Sequence, residues 1–245
     1  MGGRCAARVV GMLCALLLML PAAAVWAEPG NGFAQMAQQV REQAAVAGAT
    51  VSVVVRDLQR GDAVYERKDV IMPAASIIKV PIMVAVFSGI DRGELTLTDT
   101  LVLREQDKAD GSGILRYCTT GSVWSVYELL RLMIDKSDNT ATDMLIARLG
   151  QERINARMRE LGLTATRVRR RILDYDAIGR GVENTTTAYE ISRLLELIYR
   201  GQAAAPDSCR RMMDILLLQE YNDRIPRFLF DGVWVVHKTG MMDNL

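Results

Sequence analysis

Ser76-Ile77-Ile78-Lys79-Val80-Pro81-Ile82-Met83-Val84-Ala85-Val86-Phe87-Ser88-Gly89-Ile90 is apolar at nearly every position. Read as a helix from Ile77 onward, it has no polar face to give to water, so it belongs in a core with other elements around it. Pro81 falls early in that helix, where it is tolerable. The polar groups gather at the start. Ser76 lies at the helix mouth and Lys79 one turn on, on the same face. Backbone N–H groups at a helix start are unpaired, and the dipole there favours developing negative charge. A serine hydroxyl beside an amine is the pairing that acyl transfer to serine needs, provided that the amine is partly neutral. Burial and a second nearby cation both lower an amine pKa. The ordinary alternative is an N-cap followed by a surface lysine.

Ser-x-x-Lys alone turns up by chance about once in a chain this long. Two further strings follow it in order: Ser137-Asp138-Asn139 and Lys238-Thr239-Gly240. Each fixed tripeptide is expected by accident only about 0.05 times. Ser137 and Asn139 stand at another helix start, where Ser-Asp-Asn is also good capping chemistry. In a catalytic reading Ser137 relays a proton to a leaving nitrogen and Asn139 hydrogen-bonds a substrate amide, while Asp138 points away and holds local backbone. Lys238-Thr239-Gly240 ends a strand. Gly240 permits close backbone approach, Lys238 and Thr239 suit a substrate carboxylate, and Lys238 is the candidate second cation beside Lys79. His237, the one histidine of the chain, falls on the opposite strand face from Lys238 and reads as structural.

Around these motifs the spacing predicts a helix over Phe33–Val46, a strand over 49–57 with a hairpin partner at 63–67, and helices over 125–136, 137–150, 187–201 and about 207–221. Ser125-Val126-Tyr127-Glu128 and Thr187-Ala188-Tyr189-Glu190 both have the capping-box pattern. Val233–Thr239 reads as a strand. Two strands, a helical block and a returning strand imply an α+β fold, with an antiparallel sheet made from both chain ends and the helices inserted between.

The 245 residues carry 50% apolar and 24% charged side chains and a net charge of +1, ordinary for a globular protein and no reason to invoke nucleic acid. Residues 1–27 have the form of a secretory signal: Arg4 and Arg8, an apolar run from Val9 to Leu20, and Val25-Trp26-Ala27 as a cleavage site. The expectation is export to the periplasm or medium, a catalytic domain over 28–245, and no membrane anchor after cleavage; an uncleaved anchor is the alternative. Cleavage would remove two arginines and no acid, leaving a net charge of −1. Cys118 and Cys209 would remain, as a disulfide or as two unpaired thiols. No metal-ligand pattern, cofactor motif or interaction motif is apparent, so the expected state is a cofactor-free monomer.

With Gly111-Ser112-Gly113-Ile114-Leu115, Glu128-Leu129-Leu130, Thr140-Ala141-Thr142, Gly150 and Asn184-Thr185-Thr186-Thr187, the three strings resemble the class A serine β-lactamases in order and spacing. The resemblance implies the β-lactamase/transpeptidase-like fold and hydrolysis of a β-lactam amide through a serine acyl-enzyme. It would make Ser76 the nucleophile, Lys79 its proton partner, Ser137 the relay, and Lys238 and Thr239 the carboxylate site. The backbone N–H groups of Ser76 and Met241 would form the oxyanion hole. A D-alanyl-D-alanine peptidase acting on cell-wall peptides shares the motifs, as does a non-catalytic penicillin-binding module.

Two departures stand out. The family carries Glu-x-x-Leu-Asn in the loop before the threonines, and its Glu activates the deacylating water. Here residues 169–184 lack it and look shortened. Asp174, or Asp176, is left as the candidate carboxylate, and Glu183 reads as loop chemistry. The family also continues through two strands and a C-terminal helix beyond its Lys-Thr-Gly string, whereas this chain ends at Leu245. A C-terminal truncation is therefore expected.

Overall fold

A computed structural model describes residues 17–19, 31–46 and 50–242. In chain order they form β1 (Leu17–Met19), α1 (Asn31–Val46), β2 (Val53–Arg56), β3 (Ala63–Glu66), β4 (Met72–Pro73), α2 (Lys79–Asp91), β5 (Thr100–Val102), β6 (Val123–Ser125), α3 (Val126–Asp135), α4 (Asn139–Leu149), α5 (Gln151–Glu160), α6 (Tyr175–Gly179), β7 (Thr185–Thr186), α7 (Ala188–Tyr199), α8 (Pro206–Leu217) and β8 (Trp234–Val236). The fold is α+β, as the sequence implies.

α2 is the axis of the molecule. Val80, Ile82, Met83, Val84, Val86 and Phe87 are each at most 1% exposed, and α3, α4, α5 and α8 all pack on the helix. An all-round apolar sequence thus takes an all-round apolar environment. α3 contributes one face, with Leu129, Leu130, Met133 and Ile134 buried. It opens with a complete capping box: the Glu128 N–H donates to Ser125 Oγ (3.2 Å), and the Ser125 N–H donates to Glu128 Oε2 (2.8 Å). The second expected box is only half made. Thr187 caps α7 by accepting from the Glu190 N–H (3.1 Å). The Glu190 carboxylate instead accepts from the Ala165 and Thr166 N–H groups (2.9 and 2.6 Å), because buried tertiary donors compete for it.

The described strands form four antiparallel two-stranded ladders: β1 with β8, β2 with β3, β4 with β7, and β5 with β6. The β4–β7 ladder pairs Met72 with Thr186 and Pro73 with Thr185, and the Ala74 N–H donates to the Asn184 carbonyl (2.8 Å). It ties the approach to Ser76 to the end of the 169–184 loop. β8 lies antiparallel to Leu17–Met19, which are the described part of the expected export segment; the remainder of residues 1–27 lies outside the described residues. Cys118 and Cys209 are both free, half-buried and buried respectively.

Candidate active site

Ser76 sits in a short 3₁₀ turn, 75–78, that leads straight into α2. Its neighbour Ala75 has left-handed backbone (φ 44°). Lys79 opens α2 and is fully buried. Its Nζ lies 3.0 Å from Ser76 Oγ, 3.0 Å from Ser137 Oγ, 2.6 Å from the Ser137 carbonyl and 2.8 Å from Asn139 Oδ1. The last two oxygens can only accept. A neutral amine satisfies both with its two N–H groups and turns its lone pair toward a hydroxyl. The protonation equilibrium favours that form: burial, and then the Lys238 ammonium, push the Lys79 pKa well below its ordinary value.

Ser137 is held between two amines, because Lys238 Nζ also lies 3.0 Å from its Oγ. Lys238 is buried and donates to the Thr239 carbonyl as well (2.8 Å). The sequence reading started α4 at Ser137, but the cap is Asp138. Asp138 Oδ1 accepts from the Ala141 N–H (2.8 Å), and Oδ2 accepts from Ile114 and Leu115 (2.6 and 2.9 Å). Asp138 thus holds local backbone, leaving Ser137 in the left-handed region (φ 51°) with its hydroxyl free for the amines. Gly113 is needed beside it: a Cβ there would lie 2.3 Å from the Asp138 carboxyl carbon. Asn139 is engaged at both ends, its Oδ1 by Lys79 and its Nδ2 by the Asp110 carbonyl (2.7 Å).

β8 delivers Lys238, Thr239 and Gly240. A Cβ on Gly240 would lie 3.2 Å from the Ser76 nitrogen and 3.1 Å from Ile77 Cγ1, so backbone approaches backbone closely there. Thr239 is half-buried and Met241 is exposed. His237 is buried away from this cluster, between the Val235 and Tyr221 carbonyls (3.2 Å each).

The loop 169–184 forms the facing wall. Asn184 Oδ1 accepts from the Arg169 and Arg170 N–H groups (2.7 and 3.1 Å) and closes its neck. Arg170 is buried, donates to the Val182 carbonyl and pairs with Glu183 (2.6 Å). Asp174 Oδ1 accepts from the Ala177 N–H (2.9 Å) and caps α6. Leu173 lies close to the motif cluster and was passed over in the sequence. A Cβ placed on Gly111 would touch both Asn139 Nδ2 (3.0 Å) and Leu173 Cδ1 (3.3 Å), and Leu173 itself is left-handed (φ 55°). Among the described residues four non-glycine positions have positive φ, and three of them, Ala75, Ser137 and Leu173, belong to these walls. Strain of this kind persists where surrounding structure holds it, often at functional sites. Asp143 was also missed; it lies buried one turn beyond Asn139. Among the described residues no group of three or more His, Cys, Asp or Glu side chains is placed to hold a metal ion, and no helix is long and apolar enough to cross a membrane.

The chain and its fold resemble known proteins. A β-lactamase of Rhodobacter capsulatus is 26% identical over 224 residues, spanning 91% of this chain and 75% of that protein. An ancestral class A β-lactamase superposes with a TM-score of 0.78 at 27% identity, over 85% of this chain and 80% of that one. PBP-A, solved as a Leu-to-Glu variant in an acyl-enzyme complex with penicillin G, superposes with a TM-score of 0.77 at 33% identity, over 87% of this chain and 78% of that one. The family model described as the β-lactamase enzyme family matches residues 35–245. With the fold and these relatives in agreement, the chain belongs to the class A-like serine β-lactamase family.

Proposed function

We propose that this protein opens the β-lactam amide through an acyl-enzyme on Ser76 and that release of the acyl group is its slow step. The observation that carries this is the buried Lys79 amine, 3.0 Å from Ser76 Oγ, with its charged form disfavoured. Lys79 takes the hydroxyl proton as Ser76 Oγ attacks the lactam carbonyl. The N–H groups of Ser76 and Met241 receive the developing oxyanion. Ser137, between the Lys79 and Lys238 amines, passes a proton to the lactam nitrogen as the C–N bond breaks. Lys238 and Thr239 hold the substrate carboxylate. Water then cleaves the ester, returns the proton to Ser76 and leaves a ring-opened acid.

Release needs a base for that water. The nearby loop carboxylate, Asp174, is engaged as a helix cap, and the loop side chain that reaches Asn139's neighbourhood is the hydrocarbon of Leu173. This supports slow release and gives weight to a second reading, a penicillin-binding or D-alanyl-D-alanine peptidase role, in keeping with the likeness to PBP-A. Export through residues 1–27 would place the protein with either kind of substrate. The test is intact-mass analysis after incubation with penicillin G, with peptide mapping of the adduct. One adduct on Ser76, absent from Ser76→Ala, supports acyl transfer; its absence from the unaltered protein overturns it.

A further inference from the structure

α4 presents Asn139 and Asp143 one turn apart, hence on one face. Asn139 touches Lys79 Nζ (2.8 Å). Asp143, 3% exposed, faces the loop. Its Oδ1 accepts from the Ile172 N–H (2.8 Å), and its Oδ2 lies 3.4 Å from Arg171 Nε. Arg171 extends to a second buried acid, Asp107 (3.3 Å), which closes its own turn by accepting from the Arg104 N–H (3.2 Å). The Arg171–Ile172 pair is therefore gripped from two elements, directly before left-handed Leu173. The charges that face Asp143 are Arg171 from the loop and Lys79 from α2, with Asp107 beyond Arg171; Lys79 in turn feels Lys238 and Asp138, the cap of α4.

We propose that Asp143 is a positioning residue of the acyl-transfer site, holding the loop 169–184 on α4 and supplying a buried negative charge that opposes proton loss from Lys79. This rests on Lys79 as the proton acceptor. Lys79 is pulled toward neutrality by burial and by Lys238, and toward the charged form by Asp138 and Asp143. Burial pushes the Asp143 carboxyl up to about 6, against the pull of the Ile172 N–H, Arg171 and Lys79. Its negative charge is thus present above that pH and fades below it.

The test follows Ser76 acylation by penicillin G as a function of pH, together with amide exchange at residues 170–174, in the full chain. Asp143→Asn keeps an acceptor for the Ile172 N–H and removes the charge. Its acidic limb of acylation should move down by about half a pH unit or more, with loop exchange unchanged. Asp143→Ala should move the limb the same way and speed Ile172 exchange about tenfold or more. Slow exchange along α2 in each variant certifies the fold. An unmoved limb in Asp143→Asn, or unmoved Ile172 exchange in a folded Asp143→Ala, overturns the proposal. If the unaltered protein acylates at no pH, the acyl-transfer reading fails, and the exchange arm alone decides the loop-holding role.

Discussion

The mouth of α2 and the loop 169–184 face each other across Asn139, and they are built differently. At the mouth, side chains from α2, the α3–α4 junction and β8 converge on each other: Lys79, Ser76, Ser137, Asn139 and Lys238 are linked by contacts of 2.8–3.0 Å. In the loop four charged side chains, Arg170, Arg171, Asp174 and Glu183, are spent on holding the loop itself. Arg170 binds Glu183 and Val182, Arg171 binds Asp107 and Asp143, and Asp174 caps α6. In the proposed reaction the first region moves the protons. The second is a scaffold that presents a leucine. The two half-reactions of the proposed acyl-enzyme cycle can therefore differ in how far this chain provides for them.

Removing the nucleophile should break the comparison most severely. Ser76→Ala should lower acylation about 10⁴-fold or more, read as loss of the mass adduct. Lys79→Ala should cost about 10²–10⁴-fold in acylation rate and abolish its acidic limb, since the amine in contact with Ser76 Oγ is then gone. A carboxylate brought into the loop wall sharpens the contrast: Leu173→Glu should raise release about 10–10²-fold while leaving acylation within a few-fold, measured as adduct lifetime. An unchanged lifetime would show that the wall lies too far from the ester.

Asp143→Asn should stabilise the protein. The native carboxyl titrates at about 6 against an ordinary 3.8, so between these values the folded state binds more protons than the unfolded one. Asp143 therefore weakens stability as pH rises through that window and weakens it fully above pH 6. The gain from Asn should be about 1–3 kcal/mol near pH 7.5 and shrink below pH 5, read from denaturant unfolding. The smallest effect belongs to Asp174→Ala: about 1 kcal/mol from a lost cap, with adduct lifetime unchanged. A lengthened lifetime would instead make Asp174 the base.

The central helix was legible because thirteen consecutive residues with almost no polar interruption have one stable place, a core. Ser125 with Glu128 was legible because both halves of a capping box are local. Thr187 with Glu190 was only half legible, since the Glu190 carboxylate answers to Thr166, 24 residues away. β4, β5, β6 and β7 are two or three residues long, too short for a period-two pattern to register. α5 was missed because it buries only Ile154 and Met158 in a charged segment. The motif cluster could be read from identity and order. Leu173 and Asp143 could not, because a loop leucine and a helix acid look ordinary until the backbone places one beside Gly111 and the other against Arg171 and Ile172.

The most direct measurement of the central claim is rapid mixing with a chromogenic cephalosporin, with intact mass recorded in parallel. The account predicts one equivalent of ring opening at once, a matching adduct on Ser76, and then slow steady turnover as the ester is released. Turnover with no burst and no detectable adduct would contradict it, because release would then be as well provided for as acylation.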